Sequence, residues 1–406
     1  MGGGSDRIAI VGAGQAGGRA AVALRRAGYA GEILLFGSEA LLPYERPPLS
    51  KAVLLGAEQA GSALVHSADD YREAEVVLRL SSRVARIDPA ARQVELADGE
   101  TFAWSRLILA TGVRPRRLPM VSRDAVSYLR DHEDAERLKD RLSRAQGRLA
   151  IVGAGFIGLE VAASARCLGW DVTVVEQAPA CLSRVMPSPS AALLAGLHRK
   201  SGVDVRCGVR IARADDRAGG HRLSFDDGSE INADLVVVGI GSEPEMGLAV
   251  AAGLSCGDGI IVEEDCRTDH PDIFAIGDVA CAPNRWAGRR LRLESWDNAE
   301  RQAERVACAV MGLPLPSDLP PWFWTDQYDW NVQMIGLPSH GDKLAVREGD
   351  APGQSIHGYY RDDRLIAAIL FNSGRDRRAL TRLIAEGGAI APPDFVDLRQ
   401  PLRVAA

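Results

Sequence analysis

Two glycine-rich turns, each followed by an acid, carry the first chemistry legible in this 406-residue chain. In residues 149–176 four apolar residues run into Gly153-Ala154-Gly155-Phe156-Ile157-Gly158, and a second β-branched run ends on Glu176. The spacing gives each glycine a task. Gly153 permits the tight turn, Gly155 lets backbone approach a pyrophosphate, and Gly158 lets helix and strand pack closely. Free N–H groups at the helix start then hold the phosphate charge. Glu176, about 20 residues on, stands where a carboxylate accepts from both hydroxyls of an adenosine ribose. The same order recurs at the N-terminus. A strand at 7–11 feeds Gly12-Ala13-Gly14-Gln15-Ala16-Gly17, then a helix at 18–27 and a strand at 32–36 closed by Gly37-Ser38-Glu39. Two complete fingerprints argue for two nucleotides bound side by side.

Other positions could serve the same ligands. The run Leu42-Pro43-Tyr44-Glu45-Arg46-Pro47-Pro48-Leu49-Ser50-Lys51 sets two cations on a segment stiffened by adjacent prolines. Arg46 and Lys51 either meet an electron-rich ligand or are solvated charges on a stiff loop. Buried runs end in Ala110-Thr111-Gly112 and in Gly239-Ile240-Gly241, where small residues let backbone approach a ligand. Residues 273–276 deliver Gly277-Asp278 at a strand's carboxyl end, the ligand edge of an α/β sheet. Asp278 serves there or caps the next helix. Trp296, directly after Glu294-Ser295, borders the ligand in the same reading.

Around these positions, residues 50–51 begin a short helix, and 76–100 read as an antiparallel meander with turns at Asp88-Pro89 and Asp98-Gly99. Residues 114–119 look like a domain crossing, and the buried strand 233–240 ending in Gly239-Ile240-Gly241, followed by Pro244, would mark the return. A polar, periodic helix occupies 130–145. Residues 203–225 add short strands, with hairpin turns at Gly219-Gly220 and Asp227-Gly228. A helix covers 298–311, and the prolines at 314, 316, 320 and 321 break the chain. Beyond them β-rich runs at 322–328, 343–346, 357–360 and 365–371, with a helix at 377–386, suggest a third, α+β domain. Four of the seven tryptophans lie between 296 and 330, and most of these read as core.

Length exceeds what one core usually supports. With 46% apolar and 25% charged residues the composition is that of a soluble globular protein, and a net charge of −6 argues against nucleic acid. No run of about 18 apolar residues predicts a membrane span. Met1-Gly2-Gly3-Gly4-Ser5 reads as a flexible lead-in without the features of an export signal. The seven cysteines (167, 181, 207, 256, 266, 281, 308) include no C-x-x-C pair, which fits reduced thiols in the cytoplasm.

Taken together, GAGQAG, PYERPPLSK, LILATG, YLR at 128–130, GAGFIGLEVAA, GIG, AIGD, ESWDNA and PWFWTDQY stand in an order that resembles one family along nearly the whole chain. It is the FAD-dependent NAD(P)H:ferredoxin reductases, of the putidaredoxin reductase and biphenyl dioxygenase reductase type, that serve bacterial cytochromes P450 and Rieske oxygenases. The resemblance implies an α/β architecture of the glutathione-reductase type, with two Rossmann-like domains and a C-terminal α+β domain. Residues 1–113 and 243–320 would form the FAD domain, 114–242 the NAD domain, and 321–406 the C-terminal domain. Gly12, Gly14, Ala16 and Gly17 would hold the FAD pyrophosphate, and Ser38 or Glu39 the FAD ribose. Arg46 and Lys51 would lie along the flavin, Val84 near the adenine, and Ala110, Thr111, Gly112 and Arg130 beside the cofactor. Gly277 and Asp278 would meet the ribityl chain, while Ser295 and Trp296 close over the isoalloxazine ring. Gly153, Gly155, Ile157 and Gly158, with Glu176 and Gly241, would hold NADH, and Glu160 would sit at the nicotinamide, paired with Lys51.

The implied reaction takes a hydride from NADH onto FAD and passes single electrons to a [2Fe–2S] ferredoxin, with Lys51 and Glu160 as the catalytic pair. Glu176 repels a 2′-phosphate and so favours NADH over NADPH, with Arg184 the one nearby cation able to reverse this. Disulfide-reducing relatives need two cysteines and peroxide-reducing relatives one in the segment that here reads Pro-Pro-Leu-Ser-Lys. A protein accepting one electron at a time is therefore favoured. Ferredoxins are acidic, so Arg289, Arg290, Arg292, Arg375, Arg377 and Arg378 are candidates for docking. A rubredoxin reductase and a redox sensor of the apoptosis-inducing-factor type are the alternatives, and a monomer or a homodimer is allowed.

Overall fold

Runs of Val, Ile, Leu and Ala bounded by glycines account for the strands that carry both turns, and helices of small and leucine residues cover them. The structure, a computed structural model, describes residues 6–120, 125–144, 146–217 and 220–402. The lead-in 1–5 and Gly219 of the expected hairpin turn lie outside the described residues. The chain splits into two compact units, one of Met1–Glu45, Gly61–Arg114 and Glu243–Asp318, the other of Arg46–Ala60, Pro115–Ser242 and Leu319–Ala406.

The first unit is built on a five-stranded parallel sheet, ordered Ile273–Ala275, Arg106–Leu109, Arg7–Val11, Glu32–Phe36, Val76–Arg79. Arg7–Val11 lies centrally and pairs in parallel on both sides. Its crossover helix, Gln15–Arg26, buries Ala20, Ala21 and Leu24 against Ala303, Val306 and Ala307 of the helix Trp296–Met311. Small residues on both faces let these helices approach closely. Ser295 caps the second helix by accepting from the Asn298 N–H at 3.1 Å, two residues earlier than the sequence suggested, and Gly312 ends it in the left-handed region.

One expectation needs correction here. Val76–Arg79 is no part of a meander; it pairs in parallel with Glu32–Phe36, and its alternate residues Val76 and Leu78 join the apolar cluster of the helix Gln15–Arg26. The antiparallel strands are Val84–Asp88, Gln93–Leu96 and Thr101–Ala103.

The second unit repeats the plan with a four-stranded parallel sheet, ordered Asp204–Cys207, Asp171–Glu176, Arg148–Val152, Leu235–Val238. The helix Phe156–Cys167 crosses over it. A five-stranded antiparallel sheet, Trp322–Gln327, Trp330–Gly336, Arg364–Phe371, Ser355–Arg361 and Lys343–Glu348, belongs to the same unit. One apolar core joins the sheets: Leu159, Val161 and Leu194 share it with Val332, Ile369 and Phe371. The expected helix at Ser50–Lys51 is instead the end of a 3-10 turn, Pro47–Ser50, started by its two prolines. No helix among the described residues is long and apolar enough to cross a membrane.

Candidate functional site

In the first unit, the glycines of the turn divide by what a side chain would meet. A Cβ on Gly12 would lie 2.2 Å from the Ala110 carbonyl oxygen, and one on Gly17 would lie 1.9 Å from the Gly12 carbonyl oxygen. The protein's own packing forbids a side chain at both. Gly14 is different: a Cβ there would meet nothing within 4 Å. Its backbone (φ −94, ψ −161) suits any residue, and it offers no side chain to cap the helix Gln15–Arg26. The absence of a side chain here serves something other than the fold, as a cradle for an anion requires. Gly277 comes over the same turn, where a Cβ would be 2.8 Å from that of Ala16, and its N–H donates to Gln302 at 2.7 Å.

The second unit sorts its glycines identically. A Cβ on Gly153 would meet the Gly239 carbonyl oxygen at 2.3 Å, one on Gly158 the Gly153 oxygen at 2.1 Å, and one on Gly155 nothing within 4 Å. Ile157, in the first turn of the helix, is 48% exposed, an apolar side chain left bare beside the open glycine. Glu176 accepts from the Ala154 N–H and the Ala178 N–H, both at 2.8 Å. Each oxygen is thus aimed by backbone before any ligand arrives. Gly241, at φ +105, lies beside the guanidinium of Arg184.

Also in the second unit, Glu160 is 3% exposed and gathers three donors. Lys51 Nζ lies 2.9 Å from Oε1, the Thr325 hydroxyl donates to Oε1 at 2.6 Å, and the Ser50 hydroxyl donates to Oε2. Lys51 also donates to the Pro47 carbonyl at 3.0 Å, and Ser164 ties down the Ser50 carbonyl at 2.8 Å. Removing a carboxylate from water is costly, and an apolar pair would serve stability as well. The cluster points to use rather than to stability. Sequence reasoning named Lys51 and Glu160 but missed Ser50 and Thr325. The signal for Thr325 was faint: a polar residue directly after three consecutive aromatics, on the same strand face as Phe323, whose ring lies tilted against Phe156 at 4.4 Å.

The remaining expected residues divide between the units. In the first, Glu39 accepts from the Tyr44 hydroxyl at 2.6 Å, while Ser38 is exposed. Val84 is buried at the start of its strand, and Thr111 donates to the Glu245 carbonyl at 2.8 Å. Gly112 follows in the left-handed region. Trp296 donates to Glu45 at 3.2 Å. Asp278 falls within a 3-10 turn, Gly277–Val279, with no side-chain cap, which removes the reading of it as a helix cap. In the second unit, Arg46 donates to the Arg130 carbonyl, and the Arg130 N–H donates to Asp134 at 3.1 Å.

Two further expectations change. Trp296, Trp322, Trp324 and Trp330 are half-buried rather than core, and Trp322 and Trp324 stack at 5.0 Å near one edge of the C-terminal sheet. Among the docking arginines, Arg290 is held by Glu263 at 2.6 Å, and Arg292 by Glu294 and the Asp258 carbonyl. Arg377 lies over Trp322, whereas Arg375 and Arg378 are exposed and in no ion pair among the described residues.

A family model described as pyridine nucleotide-disulphide oxidoreductase matches residues 6–303, and one described as reductase C-terminal matches 322–406. The terpredoxin reductase of a Pseudomonas species is 39% identical over 410 residues, covering 99% of this chain and 98% of its own. The ferredoxin--NAD(+) reductase component of the anthranilate 1,2-dioxygenase system of Burkholderia cepacia is 40% identical over 396 residues, 97% of each chain. The structure of putidaredoxin reductase in covalent complex with putidaredoxin matches with a TM-score of 0.93 at 36% identity, over 98% of this chain and 97% of that one.

Proposed function

The chain belongs to the pyridine nucleotide-disulphide oxidoreductase family, and from that premise we propose that it is an FAD-dependent NADH:ferredoxin oxidoreductase. The observation that carries the reading is the pair of cradles, each closed to side chains by packing at two glycines and open at the middle one. Their donor chemistry fits a dinucleotide pyrophosphate at Gly14 and another at Gly155. Bound FAD would supply the hydride acceptor and one-electron donor that no side chain here replaces. Despite the family's name, the seven cysteines are all free, and the segment expected to carry reactive thiols presents Ser50 and Lys51.

The second unit's residues orient NADH. Glu176 presents oxygens already fixed by two N–H groups to the adenosine ribose, and its charge opposes a 2′-phosphate. Glu160, steadied by Lys51, Ser50 and Thr325, offers an acceptor to the nicotinamide carboxamide. Holding that group in one orientation lowers the entropy cost of the transfer. No side chain is needed as a general base. The electron acceptor is a ferredoxin, in keeping with relatives named for terpredoxin and for the ferredoxin of a dioxygenase system, and we take it to be of the [2Fe–2S] class that serves cytochromes P450 or Rieske oxygenases. Free thiols throughout fit the cytoplasm.

The test uses the protein loaded with FAD, mixed anaerobically with NADH. Rapid bleaching of the yellow colour is expected, then reduction of a [2Fe–2S] ferredoxin over many turnovers. A single slow bleaching with no onward reduction would overturn the assignment in favour of a sensor.

A further inference from the structure

We propose that Cys181 and Cys207 are a modification site: a hydroperoxide closes them to a disulfide, and closure weakens NADH binding at Glu176. The consequence for NADH rests on the function proposed above; the disulfide does not. The two Sγ atoms are 3.7 Å apart. A disulfide needs about 2.0 Å, so closure asks for roughly 1.7 Å of approach. Cys207 ends the edge strand Asp204–Cys207, half-buried, and its register partner on the neighbouring strand is Glu176. Cys181 is 2% exposed, in the segment that leaves that strand.

That segment is tied to the nucleotide turn at both ends. Gly208 N–H donates to the Ala178 carbonyl at 2.8 Å, and Ala178 N–H donates to the Glu176 carboxylate. Directly after Cys181, Leu182 takes φ +55, uncommon for a branched residue, and its N–H donates to the Ala154 carbonyl at 3.0 Å. Ala154 in turn donates its N–H to Glu176. Drawing Cys181 toward Cys207 therefore pulls on the residue between the cradle's first two glycines and on the carboxylate they aim.

The chemistry balances. Cys207, the more accessible sulfur, attacks the peroxide; an S–O bond forms, the O–O bond breaks, and one water leaves. Cys181 then attacks the Cys207 sulfur, so that an S–S bond forms, the S–O bond breaks and a second water departs. Two thiols lose two electrons, and hydrogen peroxide gains them. Burial and the neighbouring Cys207 push the Cys181 thiol up, so the first attack falls to the more accessible Cys207, and in the second step the departing hydroxyl takes the Cys181 proton as it leaves as water.

The experiment treats the FAD-loaded Cys167→Ser protein with hydrogen peroxide, since Cys167 is exposed and would react by itself. Peptide mapping without reductant should find a Cys181–Cys207 crosslink. With ferricyanide as acceptor, KM for NADH should rise about five-fold at unchanged kcat, return with dithiothreitol, and stay constant in a further Cys207→Ser variant. No crosslink, or a crosslink with KM unchanged, overturns the proposal. Failure of the untreated protein to oxidise NADH would instead strike the function assigned above, and the crosslink would still be read by the map.

Discussion

The turn at Gly12 and the turn at Gly153 match bond for bond. Gly12 N–H donates to the Phe36 carbonyl at 2.9 Å, and Gly153 N–H to the Val175 carbonyl at 2.8 Å. Ala110 N–H reaches Val11 and Gly239 N–H reaches Val152, both at 2.8 Å. One position later the two part. Phe36 pairs with Val11 and is followed by Gly37, whereas Val175 pairs with Val152 and is followed by Glu176. A Cβ on Gly37 would lie 2.7 Å from that of Ala13, so a side chain is crowded out at the position where the second unit places its acid. The first unit's acid arrives two residues later, as Glu39, steadied by Tyr44 rather than by the turn. One turn thus fixes its acid directly at the strand's end, and the other has its acid on the loop beyond. The glycines sort alike in both turns, while the anchorage of the acid tells the turns apart.

The largest expected effect tests whether the outer glycines belong to the fold. Gly12→Ala and Gly153→Ala combine a left-handed φ with a carbonyl oxygen inside contact distance, and each should destabilise its unit by roughly 3–5 kcal/mol in denaturant unfolding. Equal stability to the parent would remove the packing argument.

Acid should separate the units next. Burial holds His357, in the second unit, down at about 4, below its ordinary value of 6.5. Its folded form stays neutral while the unfolded chain takes the proton, so its contribution is complete above about pH 6.5 and lost as pH falls toward 4. That loss is on the order of 3 kcal/mol. His198, in the same unit, shifts downward too, through burial, and so does His66 in the first unit, with burial again the main cause. A His357→Gln protein should flatten the melting-temperature profile between pH 4 and 6.5, and a profile as steep as the parent's would refute the assignment.

The middle glycines probe ligands rather than fold. Gly14→Ala should lose FAD on dilution yet melt like the parent without flavin; Gly155→Ala should keep FAD and raise KM for NADH about ten-fold, the scale of roughly 1–2 kcal/mol of crowding. Glu176→Ala should also raise KM for NADH about ten-fold and narrow the gap to NADPH, and an unaltered ratio of the two would show that another residue discriminates. Smallest is the surface. Arg375→Glu with Arg378→Glu should raise KM for ferredoxin about three-fold and weaken its salt dependence, whereas Arg290→Glu, already paired, should change it less.

By itself the sequence determined the two turns, the strands flanking them and the acid that closes the second. Each depends on residues close along the chain and on backbone angles that only glycine supplies. It also marked Lys51 and Glu160 through the family's motifs. Only the tertiary structure decided that Val76–Arg79 completes the parallel sheet, that Gly37 holds the place of Glu176, and that the grouped tryptophans stay half-buried. It alone brought Ser50 and Thr325, 110 and 165 residues from Glu160, onto one buried carboxylate. The physical reason is range: local spacing fixes dihedral angles and periodicity, but which distant hydroxyl satisfies a buried charge is set by how sheets and helices pack.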